Sequence, residues 1–284
     1  MAVDSAPTLM EVVTEGLARA NKPNLVARAK RAWMREIKND FAIVAPRSKI
    51  LMKTEVSITT KGLERYAVPT DYLSDMKMAL LSGSEVGVAL GGSSSTVTLA
   101  ADFAGSEADT VGLKVLITGG TGKNSLGQIV ALNESTKVAT VGISFTNTPA
   151  ATDTYLIVTR EKDLIPQPIW NQGRNSQNIT VAEPEIFYPK NNKDSDEFIL
   201  FPVPDKSTYG LVKTYYADIR RVDLTDSWLE EIFREYLEFF VSGITARATN
   251  GQLDWARYLG LKEDIKVGSY GMDLSNVQMA VSDY

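Results

Sequence analysis

The hydrophobic period of this chain changes twice, and that change limits the folds open to it. Leu9, Val13 and Leu17 recur at helical spacing, followed by Val26, Ala29, Trp33 and Ile37 on one face. From about residue 54 the period falls to two, through EVSITT, RYAVP and the run containing Met76, Met78 and Leu80. Strand signals return in EIFYP, EFILFPVP and YGLVKTYYADI. Helical spacing resumes with Leu229, Phe233, Tyr236, Phe240 and Ile244. Helices at both ends of a run of strands predict an α+β protein: a helical bundle built from N- and C-terminal helices, plus a β domain.

The helix ends are marked. Thr8-Leu9-Met10-Glu11 is a capping box, in which hydroxyl and carboxylate each satisfy a free backbone N–H. Pro23 suits the first turn of the second helix. Ser227-Trp228-Leu229-Glu230 is another capping box, opening one long helix to about Ala248. Trp228, Ile232 and Phe239 widen its apolar stripe, so it should be buried on several sides, in a core or between subunits. Asn250-Gly251 ends it, and Leu253 to Leu261 reads as a shorter helix. Residues 267–284 have no strong period and read as an extended tail.

Residues 83–95 (GSEVGVALGGSSS) are Gly/Ser-rich and read as a linker. Beyond them STVTLAAD, GLKVLITGG, GQIVALNES, KVATVGISF and TYLIVTR form short Val/Ile/Thr-rich strands, the pattern of a small all-β barrel or sandwich. Residues 161–184 contain Pro166, Pro168, Asn175 and Pro184 and read as an irregular connection. Pro202 and Pro204 end the EFILF strand or put it at an edge. The expected organisation is therefore a discontinuous core of residues 1–90 and 161–266, an inserted module at 91–160, and the tail at 267–284.

Within that module, GGTGKNS invites comparison with a phosphate-binding loop. The motif G-x-x-x-x-G-K-[ST] places a glycine where this chain has Ile117 and a hydroxyl where it has Asn124. A nucleotide loop leads from strand into helix, whereas strand alternation comes next here. Gly119, Gly120 and Gly122 are therefore expected to supply positive φ at a hairpin tip.

Composition narrows the chemistry further. The chain of 284 residues has no cysteine and no histidine, which excludes disulfides, thiolate or imidazole metal sites and Ser-His-acid triads. Carboxylate acid/base work and oxygen-only metal binding remain open. Paired acids occur at Glu230-Glu231, Glu235/Glu238 and Asp194/Asp196/Glu197, but none lies beside a Gly-rich loop or an aromatic platform. Residues Asn191 to Asp196 lack the glycine and terminal glutamate of an EF-hand calcium loop. Phe187, Tyr188, Phe198, Phe201, Tyr215 and Tyr216 fall on strands and suit a sheet core. No apolar run approaches the ~18 residues of a membrane span. A net charge of −5 argues against a chain whose main work is gripping nucleic acid. The second helix is nonetheless strongly basic, and Arg28, Arg31 and Arg35 are candidate contacts for an acidic partner or phosphates. No catalytic residue, cofactor or metal site is expected.

The order of features resembles the head-to-tail adaptors of short-tailed bacteriophages, the tail tubular protein A type. Three short signatures carry the resemblance. Tyr66, Pro69, Asp71, Tyr72 and Leu73 match a Tyr-x-x-Pro-x-Asp-[Phe/Tyr]-Leu segment. Leu200-Phe201-Pro202-Val203-Pro204 matches a Leu-Tyr-Pro-x-Pro strand end imperfectly, and Tyr215-Tyr216 matches a Tyr-Tyr strand before the terminal helices. The resemblance covers most of the chain outside roughly 90–160, where such adaptors vary. It implies a structural virion protein of the neck, assembled in the host cytoplasm as a dodecameric ring between portal and tail nozzle, around the DNA channel. The DNA would pass without specific binding, and no membrane is involved. Trp33, Trp228, Leu229, Ile232, Phe233, Tyr236, Phe240 and Ile244 would then pack the bundle and the subunits. Tyr270, Met272, Leu274, Val277, Met279 and Tyr284 would dock the tail on the portal. The alternatives are a tail-associated hydrolase using two carboxylates, or a receptor- or carbohydrate-binding tail component.

Overall fold

The computed structural model describes residues 6–46, 48–167, 180–189, 197–224 and 228–279. The protein is mixed α+β, with three sheets among the described residues and helices toward the C-terminal side. In chain order, α1 (Leu9–Arg19), α2 (Val26–Arg28) and α3 (Met34–Val44) precede β1 (Met52–Ile58), β2 (Arg65–Ala67) and β3 (Tyr72–Ser82). Then come β4 (Glu85–Val88), β5 (Gly91–Gly92), β6 (Thr96–Thr98), the single turn α4 (Glu107–Thr110), β7 (Lys114–Ile117), β8 (Leu126–Asn133), β9 (Val138–Val141) and β10 (Thr154–Val158). The chain continues through β11 (Arg160–Pro166), β12 (Val181–Ala182), β13 (Ile186–Pro189), β14 (Glu197–Phe201), β15 (Val203–Pro204) and β16 (Gly210–Ala217). It finishes with α5 (Trp228–Glu235), α6 (Leu237–Thr249) and α7 (Gln252–Met279).

Chain contacts divide it into two compact units. The first comprises Met1–Lys53, Thr70–Ser74 and Tyr216–Tyr284. Thr8 caps α1 as its sequence predicts, accepting from the Glu11 N–H at 3.3 Å while the Glu11 carboxylate accepts from the Thr8 N–H at 2.7 Å. Pro23–Leu25 is a 3₁₀ turn, and Ala29–Trp33 a π-helical turn that leads into α3. Ala29, Trp33, Ile37 and Phe41 are buried on the face that the sequence marks as apolar. They join Val12, Val13 and Leu17 of α1 and the aromatic side chains of α5 and α6 in one core. From Phe239 to Ala246 every residue of α6 is buried, because α1, α3 and α7 all pack against that helix. The Thr245 hydroxyl donates to the Gly16 carbonyl at 3.1 Å, tying α6 to α1.

Two expectations for this unit are corrected. The long helix from Ser227 to about Ala248 is two helices, broken at Tyr236 (φ −117°, ψ 30°). At the break the Tyr236 ring meets Phe41 edge-on at 4.8 Å and its hydroxyl lies 3.0 Å from Ser48 Oγ, so side-chain partners favour the turn. The Ser227 cap lies outside the described residues. The short helix at 253–261 with an extended tail beyond it is instead one helix of 28 residues through Met279. Trp255, Tyr258, Leu261 and Ile265 seat its first half on the core. No proline interrupts its second half, and Gly268 and Gly271, at ~1 kcal/mol each relative to alanine, weaken a helix without ending it.

The second unit comprises Thr54–Pro69 and Asp75–Tyr215. One seven-stranded sheet runs β1-β16-β3-β11-β13-β14-β2, and another runs β4-β10-β7-β8-β9-β6-β5. β12 and β15 make a two-stranded parallel pair. Val97, Leu99, Phe103, Val115, Ile117, Ile129, Val141 and Tyr155 form the core of the second sheet. Leu81 shares a smaller cluster with Leu116, Leu156 and Val158. β14 ends at Phe201 as the prolines predict, and it lies inside the sheet between β13 and β2. Phe187, Phe198 and Tyr215 are buried; Tyr188, Phe201 and Tyr216 are half-buried.

Two stretches read as irregular are strands. Within the 83–95 linker, β4 pairs with β10 in the register Val88↔Thr154 to Glu85↔Ile157. Its glycine content hides the strand for a packing reason: a Cβ on Gly87 would collide with the Tyr155 ring and hydroxyl. Residues 161–166, assigned to a connection, belong to β11 between β3 and β13. Only Leu164 of β11 is buried, while Arg160, Glu161 and Lys162 pair with Glu183, Lys114 and Glu185 at the surface. That charge content masked the strand.

Candidate functional site

The GGTGKNS loop joins β7 to β8, two antiparallel strands with Leu116 opposite Leu126. Of its glycines only Gly120 has positive φ, at +84°, and Asn124 supplies the second left-handed position at +69°; Gly119 and Gly122 do not. The loop does gather backbone N–H groups around an anion, but the anion belongs to the chain. The Asp153 carboxylate, 1% exposed, accepts from the N–H of Thr121 at 2.9 Å, of Gly122 at 2.7 Å and of Ala150 at 3.0 Å. Burial pushes this carboxyl up, and the donors from Ala150, Gly122 and Thr121 outweigh it and hold it below the usual carboxylate range. The donors that a phosphate would need are taken. Sequence spacing rejects the nucleotide motif, yet nothing in the local motif points to Asp153, which lies some thirty positions downstream.

In the first unit, the side chains expected to pack do so within one chain. Leu229, Ile232, Phe233, Phe240 and Ile244 are fully buried and Trp33 nearly so. Trp228 and Tyr236 are partly buried against the same core. Phe240 meets Phe233 at 4.9 Å, Phe239 at 5.4 Å and Phe41 at 5.6 Å. The Lys53 ammonium lies 4.1 Å from the Trp228 ring centroid. Of the residues expected to dock the tail, Tyr270, Met272, Leu274, Val277 and Met279 lie on α7, and their side chains are outside the described residues, as is Tyr284 altogether.

A polar network not expected from the sequence surrounds Asp40 on α3. Its carboxylate accepts from Tyr258 at 2.8 Å, Lys262 at 3.0 Å and Arg247 at 3.1 Å. Burial raises the Asp40 carboxyl, while Lys262, Tyr258 and Arg247 pull it below its ordinary value. Burial and then the Asp40 charge push the Tyr258 phenol upward. These partners lie about two hundred positions apart in sequence, so no local pattern signals them. The network fastens α7 and α6 to α3. A cleft of about 300 Å³ is lined by Arg19, Ser242, Thr245, Asp254 and Arg257. Its charges are committed: Arg19 and Arg257 sit on Glu238, at 2.9 and 2.6 Å, and Asp254 accepts from Thr249.

Among the described residues the acid pairs gather no larger carboxylate cluster. Glu230, Glu231 and Glu235 lie on α5, while Glu238 is held by two arginines and the Ser242 hydroxyl. Residues 190–196, including the calcium-like stretch, fall outside the described residues. Among the described residues no group of three or more carboxylates is arranged to hold a metal ion, and no described helix is long and apolar enough to cross a membrane.

Arg28, Arg31 and Arg35 are exposed and make no ion pair among the described residues. Arg28 lies over Trp33, 5.5 Å from the ring centroid. The nearest acids on the same helix are occupied elsewhere, since Glu36 and Asp40 both bind Arg247. No known protein family and no curated protein matches the sequence.

Proposed function

We propose that the chain is a structural subunit, a head-to-tail adaptor that forms a ring between a phage portal and its tail nozzle. In this reading the first unit is the helical bundle, the β1–β16 sheet is the β domain, and β4 to β10 are a module inserted into it. The observation that carries the reading is the single helical core drawn from both ends of the chain, Val12 to Leu51 and Ile219 to Tyr258. That is the element order which the resemblance implies. The signature residues also serve structure: Tyr66 stacks on Phe198 at 5.6 Å, and Asp71 binds Lys53 at 2.8 Å. Residues 267–279, on a helical backbone, are the proposed portal contact.

Function is then a matter of surfaces. Burial of α6 within its own chain means that neighbouring subunits have to meet on other faces. The test is to incubate the purified chain with portal-containing heads and image the product. A ring seated on the portal is expected. A chain that never joins heads, and that degrades cell-wall polymer as a monomer, would refute the adaptor reading.

A further inference from the structure

The arginine row on the second helical stretch is the strongest charged feature that this reading leaves unused. Between residues 22 and 35 the chain carries Lys22, Arg28, Lys30, Arg31 and Arg35 and no acid at all. All are exposed except the half-buried Lys30. Elsewhere, Arg234 excepted, every described arginine meets a carboxylate. Three guanidinium groups on one short stretch, without an ion pair among the described residues, therefore stand apart from the way this chain treats arginine.

We infer that this row is a contact site for the phosphate backbone of double-stranded DNA, weak and indifferent to sequence. Charge complementarity commits it to that partner. A second copy of the chain meeting it through α5 would bring Arg234 between Glu231 and Glu235. A duplex offers one negative charge every ~1.7 Å of its axis, so successive arginines can each find a phosphate. Arg31 and Arg35 stand about one helical turn apart, roughly 6 Å along the axis. Guanidinium binds phosphate through a planar fork that tolerates such spacing. The π-helical turn at Ala29–Trp33 lies within the row, and such turns recur at functional positions. The net charge of −5 keeps the contact weak and dependent on ionic strength.

The experiment is a salt titration of the full chain against a 30-base-pair duplex of random sequence, read by fluorescence anisotropy. Each neutralised phosphate contributes about −0.9 to the slope of log K against log salt. Three arginines predict about −2.7, which is about a 40-fold loss of affinity between 50 and 200 mM salt, and all five cations predict about −4.5. The R31A/R35A variant should lose about 1.8 from that slope, and R31K/R35K should largely keep it. Lys123→Ala, on the β7–β8 loop, should change nothing. Circular dichroism checks that each variant is folded. Absence of binding at 20 mM salt overturns the inference, as does an unchanged slope in R31A/R35A. So does a variant that loses association with other chains while binding DNA normally, because the row would then meet a protein carboxylate. The inference stands apart from the adaptor reading: DNA binding of this kind without assembly on portals would sink the latter alone.

Discussion

Removing the Asp153 carboxylate tests whether the glycine loop is filled by the chain itself. Three N–H groups point at it, and they do not count equally. Gly122 is buried, so its N–H has no solvent to return to, and hydrogen bonds to a charged acceptor are worth about 1.5–3 kcal/mol. Thr121 is exposed and Ala150 half-buried, so water recovers most of their bonds, leaving about 0.5–1 kcal/mol each. Asp153→Ala should therefore destabilise the β4–β10 sheet by about 2.5–5 kcal/mol. Asp153→Asn keeps one acceptor oxygen and should cost less.

A chain of two units need not unfold in one step, so the readout is native-state hydrogen exchange at particular amides. The N–H of Ile117, bonded to Ser125, and that of Thr118, bonded to Thr154, flank the loop at 2.8 Å each. Their exchange should accelerate by at least about 70-fold in Asp153→Ala, given 1.36 kcal/mol per decade. Formate should reverse part of the effect, because it can replace the missing carboxylate. Acceleration below about tenfold refutes the argument. Saturable ATP binding to the native chain that is abolished by Lys123→Ala refutes it differently, since the loop would then prefer an outside phosphate.

Packing and charge carry three more expectations. Phe240→Ala removes a fully buried ring with three aromatic neighbours and should cost about 3–5 kcal/mol, read as a lowered denaturation midpoint of the helical signal; a loss under about 1 kcal/mol would mean the ring is not well packed. Gly87→Ala places a methyl group against the Tyr155 ring and should break the 3.0 Å bond between the Tyr155 hydroxyl and the Ala100 N–H. The expected cost is about 1–3 kcal/mol, with faster exchange at Ala100 as the check. Asp40 is held below its unfolded value, so its stabilisation is full above about pH 4 and is lost as pH falls through the folded value. Asp40→Asn should lower stability at pH 7 and flatten its decline between about pH 5 and 2 relative to the native chain. Parallel acid limbs for the two proteins would show that Asp40 carries no such linkage.

How far the sequence reveals this molecule depends on whether a residue's partner is near or far along the chain. The Thr8 capping box, the apolar face at Ala29, Trp33 and Ile37, and the left-handed Asn250 that ends α6 are local features. Each arises from bonds within a few residues, and each is legible. β11 is not, because its exposed positions are charged and its place is set by pairing with β3 and β13, which the fold brings alongside. β4 is hidden for a related reason, as Gly87 serves Tyr155, nearly seventy positions away. The same division governs the candidate sites. Failed spacing around GGTGKNS can be read from the eight residues 117–124, but the carboxylate that occupies the loop's N–H groups cannot. The basic row is legible as composition, whereas the unpaired state of its arginines is not. It becomes visible only in the structure, where Glu36 and Asp40 turn to Arg247 from about two hundred positions away. Glu36 adjoins Arg35 and Asp40 stands five positions beyond it, whereas side chains that face each other on a helix are three or four apart, so neither acid faces the row. Among the described residues Arg28, Arg31 and Arg35 are thus left without a carboxylate, so the R31A/R35A variant should keep its fold while its duplex binding weakens.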